Sequence, residues 1–396
     1  MALIAACCQA LEPGQASEFR SRIRATLEVN EVLPSLELER HGTFEPEPGV
    51  VAERLTYSTQ FGQRVPAILY RPKSPNGKIP GLIVVNGHGG DKYSWYSFYS
   101  GMLYARAGAA VLTYDPIGEG ERNVDRKSGT RAHDQIERRE QLGRRLGGLM
   151  MTDVMQAVSV LSSRVEVDSN RIAAMGYSMG SFVLSLTCAV ETRLKSCVLA
   201  GGGNLDGPGE YWDGSKPMCQ GFPYRSMSFL GDRPAVIYAL HALRGTTLIA
   251  NGLEDTVVAI PTHGPGFFAE LQARARLELG DGDVFETLFA EGVSHRPFFV
   301  TRPVALWLER QLDFPEWSAA TIAEQEETHI SEWAARRQVD MDPAYATEHR
   351  EGGAMALGVG VPGLTREQLS VFSESEWRQR KGNMILEGWL AHRDPQ

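Results

Sequence analysis

The chain has 396 residues, 42% apolar and 22% charged, with 41 Gly and 21 Pro, a composition that excludes a disordered, collagen-like or coiled-coil protein and fits one large α/β domain with additions or several smaller ones. Forty lysines and arginines against 49 acidic residues leave a net charge of −9, which disfavours nucleic acid and anionic membrane as partners because both are themselves negative. The five cysteines, Cys7, Cys8, Cys188, Cys197 and Cys219, are too few and scattered for a disulfide scaffold, and Cys188 and Cys197 read as small buried hydrophobes.

The first residues carry a short apolar stretch without a basic region, and Ile4-Ala5-Ala6-Cys7 has only a faint likeness to a lipoprotein cleavage site. No apolar run approaches the roughly 18 residues needed to cross a bilayer, so a soluble, cytoplasmic protein is expected. Phe19, Ile23 and Leu27 stand at spacing four and predict one amphipathic helix. Residues 51–70 read as a hairpin, with Leu55, Tyr57 and Val65, Ala67, Leu69 at period two and a turn at Phe61-Gly62-Gln63. Pro66 lacks an N–H, which predicts a place near a sheet edge.

From Pro80 the pattern changes to continuous apolar runs: 82–85, 109–114, 171–176, 197–200, 246–250 and 284–289. Helical stretches lie between most of them, clearest at Leu149, Met150, Val154, Val158 and Leu161. This alternation predicts an α/β protein with a mostly parallel sheet and helices on both faces. Ligands bind such sheets beyond the carboxyl ends of the strands. Two regions break the rhythm: residues 201–244, rich in Gly, Pro and aromatics, read as an insertion or partial cap, and the chain after 312 turns polar and helical. The expected units are an N-terminal helical segment (1–49), a catalytic domain (50–312) and a helical extension (313–396) that closes with a helix near 367–390. The extension is a cap, a dimerisation arm or a packing appendage, and homo-oligomerisation stays open.

Gly176-Tyr177-Ser178-Met179-Gly180 follows an apolar strand and precedes an apolar helix. A serine on such a strand-to-helix turn projects its hydroxyl at the sheet edge, with the helix N-terminus behind it. Its hydroxyl needs a base, and the base an orienting carboxylate, in chain order Ser, Asp/Glu, His. Asp255, in Asn251-Gly252-Leu253-Glu254-Asp255, is the expected acid and His295, in Glu291-Gly292-Val293-Ser294-His295, the expected base. Glu254 is the competing acid. The histidines His133, His241, His263, His329, His349 and His392 read as surface or structural. For the oxyanion, the Met179 N–H is one expected donor, and the loop Asn86-Gly87-His88-Gly89-Gly90 supplies the other, Gly90 first and Gly89 second. His88, Tyr93, Trp95, Tyr177 and Trp212 are candidate substrate contacts, while Asp115 precedes the serine and reads as structural. No H-E-x-x-H, paired C-x-x-C, P-loop or dinucleotide fingerprint occurs, so neither metal nor cofactor is expected.

Asn86-Gly87-His88-Gly89-Gly90, the stretch 114–122 (Tyr-Asp-Pro-Ile-Gly-Glu-Gly-Glu-Arg) and Gly176-Tyr177-Ser178-Met179-Gly180 resemble the α/β-hydrolases of the acetyl-xylan-esterase and dienelactone-hydrolase-like branch. The resemblance runs from about residue 50 to 312. Gly252-Leu253-Glu254-Asp255 and Ser294-His295 match the places where that branch keeps its acid and base. It implies the α/β-hydrolase fold and a serine esterase that releases small acyl groups from alcohols. The serine departs from the cysteine nucleophile of true dienelactone hydrolases, and Ser181 stands where many relatives have glycine. A C–C bond hydrolase acting on a diketone would use the same triad; a peptidase and a non-catalytic binding protein are the remaining alternatives. The expected partner is a small ester or ketone.

Overall fold

Strands covered on both faces cannot alternate polar with apolar residues, and the apolar runs between 82 and 250 form inner strands of one sheet, whereas the run at 284–289 forms an edge strand of that sheet. In the computed structural model, which describes residues 10–137, 139–205, 218–280, 282–341 and 355–391, its strands are β1 (Glu39–Glu47), β2 (Val50–Ser58), β3 (Arg64–Pro72), β4 (Ile79–Val85), β5 (Ala110–Tyr114), β6 (Val167–Tyr177), β7 (Ser196–Ala200), β8 (Thr246–Gly252) and β9 (Glu286–Ala290). Their order is β1-β2-β3-β5-β4-β6-β7-β8-β9. The first three pair antiparallel, β3 also against β5, and the rest are parallel. β4 lies between β5 and β6, so the chain's course across the sheet reverses there. The crevice beyond the carboxyl ends of β4 and β6 is the switch point where such sheets bind ligands.

Alternate side chains feed two cores. Ile83 of β4 joins one that includes Ile23, Leu149, Val154 and Leu186. Its neighbours Leu82 and Val84 join the other, with Tyr99, Leu103, Trp307 and Trp333. The first face thus carries α1 (Pro13–Thr26), α3 (Glu140–Ser162) and α4 (Met179–Val190), and the second carries α2 (Trp95–Arg106). The helix expected at Phe19–Leu27 is α1, and the predicted hairpin is β2–β3, with Tyr57 opposite Val65.

Several expectations change. β1 lies inside the segment expected to be helical and pairs with β2. Pro66 is not near an edge, since β3 has neighbours on both sides. It is tolerated because the β3–β5 ladder covers only Ala67–Tyr70, leaving Pro66 just past its end. Cys188 and Cys197 are buried as expected but joined in a disulfide, formed where the end of α4 turns back into β7. The closing helix is three short ones, Arg366–Leu369, Glu374–Arg380 and Leu386–Ala391. The first break has a cause. The Val371 and Phe372 N–H groups donate to the Glu121 carboxylate at 2.9 and 3.0 Å, and Ser373 opens a new helix with a capping box. Most of the extension packs on the second face, where Tyr99 donates to the Leu357 carbonyl at 2.6 Å and Trp377 to the Glu121 carbonyl at 2.9 Å, while Leu386 and Trp389 of its last helix join the first core. In the insertion, described residues form α5 (Met218–Ser226) and α6 (Arg233–Ala242). Gly143 and Gly147 of α3 let α5 approach, for a Cβ on either would lie 2.6 Å from Phe222 or Pro223. No helix among the described residues is long and apolar enough to cross a membrane.

Candidate active site

Ser178 ends β6 and opens α4 with φ 55° and ψ −115°, a left-handed conformation that non-glycine residues adopt at a cost of order 1–3 kcal/mol. The chain turns sharply enough that only glycines fit beside it. A Cβ on Gly176 would lie 2.4 Å from the Gly180 carbonyl oxygen, and one on Gly180 would lie 2.2 Å from that of Val85. The Ser178 N–H donates to the Ala200 carbonyl at 2.9 Å, which ties the turn to β7. Ser178 is half-buried and Met179 buried. Standing first in α4, Met179 has an N–H outside the helical hydrogen-bond pattern.

β8 and β9 end beside this turn. His295 Nδ1–H donates to Asp255 Oδ2 at 2.7 Å, with the two side chains 2% and 0% exposed. Asp255 Oδ1 accepts the Val257 and Val258 N–H groups at 3.0 and 3.2 Å, which fixes the carboxylate. The loops bearing Asp255 and His295 touch backbone to backbone: a Cβ on Gly252 would lie 2.1 Å from the Val293 carbonyl oxygen. Glu254, by contrast, is exposed. A Cβ on Gly201 would lie 2.8 Å from His295 Cε1 and 3.1 Å from Tyr177 Cε2, which brings the imidazole against the end of β6.

Among the expected substrate contacts, Tyr177 lies differently. It is buried, its ring centroid 4.9 Å from that of His295 and its hydroxyl donating to the His295 carbonyl at 3.2 Å. It braces the imidazole from below instead of facing a ligand. Tyr93 faces the extension, its hydroxyl 3.1 Å from Ser370 Oγ and the Arg366 guanidinium 3.8 Å over its ring. Trp95 is buried edge-on to Tyr96 and Tyr99. Trp212 lies outside the described residues. Asp115 is structural, accepting the Lys92 and Glu121 N–H groups at 3.2 and 2.8 Å and pairing with the Lys92 ammonium.

The loop after β4 also differs in detail. Gly90 donates its N–H to the Gly87 carbonyl at 3.0 Å, so that donor is spent in a turn. The Gly89 carbonyl accepts from Gly129, and Gly89 has φ +77°. Gly87 is the closest to the serine: a Cβ there would lie 3.2 Å from Ser178 Cβ. Its N–H donates to the Tyr96 hydroxyl at 3.3 Å, and the Tyr96 ring meets Tyr177 edge-on at 5.5 Å. The next N–H, that of His88, makes no hydrogen bond among the described residues. Neither Tyr96 nor the His88 N–H was readable from motif spacing, because each depends on the path of the loop and on ring packing. The His88 side chain points away, with Nε2 3.3 Å from Cys219 Sγ and 3.4 Å from Asp134 Oδ2. His133 stacks on it at 5.4 Å, and burial together with His88 lowers the His133 imidazole to about 4.

A serine on a strained strand-to-helix turn, a buried His–Asp pair and a nine-stranded sheet with β4 at the switch point decide the architecture. The chain is an α/β-hydrolase-fold protein. The acetyl xylan esterase (AXE1) family model matches residues 11–200 of this hydrolase-fold chain, just under half of it. The Bacillus subtilis protein YtaP is 28% identical over 160 residues, 37% of this chain and 52% of that one. The hydrolase pyiE of Pyricularia grisea is 32% identical over 159 residues, 38% of this chain and 30% of that one. The chain thus spans about half the length, or less, of these curated relatives. Among solved structures, the methylesterase BT1017 superposes with TM-score 0.59 at 19% identity, covering 96% of this chain and 73% of that one. An acetyl xylan esterase from Paenibacillus sp. R4 superposes with TM-score 0.53 at 16% identity, covering 77% of this chain and 96% of that one. At these identities the likeness is one of fold.

Proposed function

We propose that the chain is a serine hydrolase that cleaves carboxylic esters of short acyl groups, acetyl esters first among them, through an acyl-enzyme. The observation that carries this reading is the buried His295–Asp255 hydrogen bond of 2.7 Å beside a serine held at φ 55°. The match to the acetyl xylan esterase family supports the acyl class.

Asp255 holds the Nδ1 proton of His295, which leaves Nε2 as the base. Nε2 takes the Ser178 proton as Oγ attacks the ester carbonyl. The carbonyl oxygen becomes an oxyanion, received by the Met179 N–H and, in place of Gly90, by the His88 N–H. The C–O bond to the alcohol then breaks, and His295 returns its proton to the leaving oxygen. Water, deprotonated by His295, attacks the acyl carbon. Ser178 leaves with the proton restored, and the carboxylic acid departs.

The test is hydrolysis of p-nitrophenyl acetate, butyrate and octanoate by the intact chain and by Ser178→Ala. Acetate should be preferred, and Ser178→Ala should lower kcat by roughly 10⁶, since serine and histidine act as a unit. A loss smaller than roughly tenfold would remove Ser178 from the mechanism. Preference for octanoate would remove the short-acyl assignment.

A further inference from the structure

Beside the loop that carries the His88 N–H, four metal-ligating side chains from three distant segments converge: His88 after β4, His133 and Asp134 between β5 and α3, and Cys219 on α5. Their ligand atoms all lie within 4.8 Å of one another. The nearest pairs are His88 Nε2 to Cys219 Sγ at 3.3 Å, His88 Nε2 to Asp134 Oδ2 at 3.4 Å, His133 Nε2 to Asp134 Oδ1 at 3.5 Å and Cys219 Sγ to Asp134 Oδ1 at 3.7 Å. A zinc ion with bonds of about 2.0–2.1 Å to N and O and about 2.3 Å to S has tetrahedral edges of roughly 3.3–3.6 Å. These four separations lie within about 0.3 Å of such edges; His88 approaches Asp134 Oδ2 while His133 and Cys219 approach Oδ1, and the remaining pairs lie within 4.8 Å.

His133 supplies an independent indication. It is fully buried, and its Nδ1 lies 3.2 Å from the Ile117 carbonyl, which can only accept. Nδ1 therefore carries the proton, and Nε2 presents its lone pair to the cluster. That lone pair accepts no hydrogen bond among the described residues. An imidazole held through its other nitrogen by a backbone carbonyl is the arrangement that orients a metal ligand. The loop itself is held in place, for Glu119 accepts the Thr130 N–H at 3.1 Å and the Arg131 N–H at 2.6 Å.

We propose that His88, His133, Asp134 and Cys219 form a tetrahedral zinc site that pins the oxyanion loop to the insertion helix α5. Two imidazoles, a thiolate and a carboxylate suit a borderline-soft ion without a redox role. Four protein ligands leave no open position, so the ion is structural. On binding, the Cys219 thiol releases one proton to solvent and its sulfur bonds the ion. The site needs no chemistry at Ser178 and stands apart from the esterase reading.

The test is metal content and cobalt spectroscopy on the full-length chain with Cys7 and Cys8 replaced by serine, so that Cys219 is the one thiol outside the disulfide. Protein purified without chelator should carry close to one zinc per chain. After chelation, added Co²⁺ should give the strong visible bands of tetrahedral cobalt and a thiolate-to-cobalt charge-transfer band. Cys219→Ser should abolish the charge-transfer band and weaken cobalt binding by more than roughly tenfold, the least that even an outer-shell loss costs. A chain that binds neither ion stoichiometrically, or only with the weak spectrum of octahedral cobalt, would reduce the cluster to thiol and imidazole hydrogen bonds and overturn the proposal. A charge-transfer band that survives Cys219→Ser would overturn it equally. If Cys219→Ser does not fold, the parent chain's charge-transfer band decides alone.

Discussion

Tyr177 lies beneath His295, its ring 4.9 Å from the imidazole and its hydroxyl donating to the His295 carbonyl at 3.2 Å. The residue before Ser178 thereby holds the backbone of His295. It ties together two loops far apart in sequence, after β6 and after β9. Tyr96 extends the brace to the loop after β4, since it meets Tyr177 edge-on and accepts the Gly87 N–H.

Tyr177→Phe should therefore lower kcat and leave KM nearly unchanged. Loss of one hydrogen bond corresponds to roughly a two- to tenfold effect. Steady-state kinetics on p-nitrophenyl acetate measure it. A change confined to KM would mean that Tyr177 contacts the substrate after all.

The proposal of Asp255 as the acid rests on the surroundings of the two carboxylates at the end of β8. Asp255 is buried and bonded to His295, whereas Glu254 is exposed. Asp255→Asn should cut kcat by about 10⁴, because the imidazole is then held in the wrong tautomer. Glu254→Gln should leave it within about twofold, as surface changes generally do. The opposite ranking would move the acid by one position.

Gly252 separates the loops that carry Asp255 and His295. A Cβ there would sit 2.1 Å from the Val293 carbonyl oxygen and 2.4 Å from that of Ser294, and backbone cannot swing away as a flexible side chain can. Gly252→Ala should destabilise the fold by about 3 kcal/mol or more and part His295 from Asp255. Urea unfolding and kcat, measured together, should both fall. An unchanged midpoint with full activity would show that the two loops are not in contact.

His241 gives a pH signature in stability. It is buried, its Nδ1 lies 2.6 Å from Thr247 Oγ1, and burial lowers its pKa to about 4. The unfolded chain binds this proton below about 6.5, and the native chain only near about 4. Stability is thus complete above about 6.5 and is lost as pH falls toward about 4, by on the order of 3 kcal/mol. Urea midpoints of the intact chain should fall through this window faster than those of His241→Gln. Parallel curves would assign the acid limb to other groups.

The parts of the site legible in the sequence are those where an apolar run gives way to a glycine-containing loop. Ser178, Asp255 and His295 all stand at such points, and strand ends are where a parallel sheet presents chemistry. The mostly parallel sheet followed from the same runs, whereas the order of its strands did not. What escaped was set by contacts that spacing does not encode. The Gly90 N–H looked free, yet the loop folds back and spends it on Gly87. Cys188 and Cys197 carry no motif, but the turn between α4 and β7 brings their sulfurs together. Pro66 pointed to an edge because its missing N–H was weighed without the short length of the β3–β5 ladder. The split of the last helix depends on Glu121, some 250 residues earlier in the chain, capturing the Val371 and Phe372 N–H groups.

The central claim is that Ser178 is a nucleophile activated by His295. Stoichiometric labelling with a p-nitrophenyl phosphonate ester, followed by peptide mass mapping, tests it most directly, because the adduct stays on the atom that attacked. The account predicts a single adduct on Ser178 in the intact chain, formed far more slowly in Asp255→Asn. No adduct, or one on another serine while Ser178 stays unmodified, would contradict it.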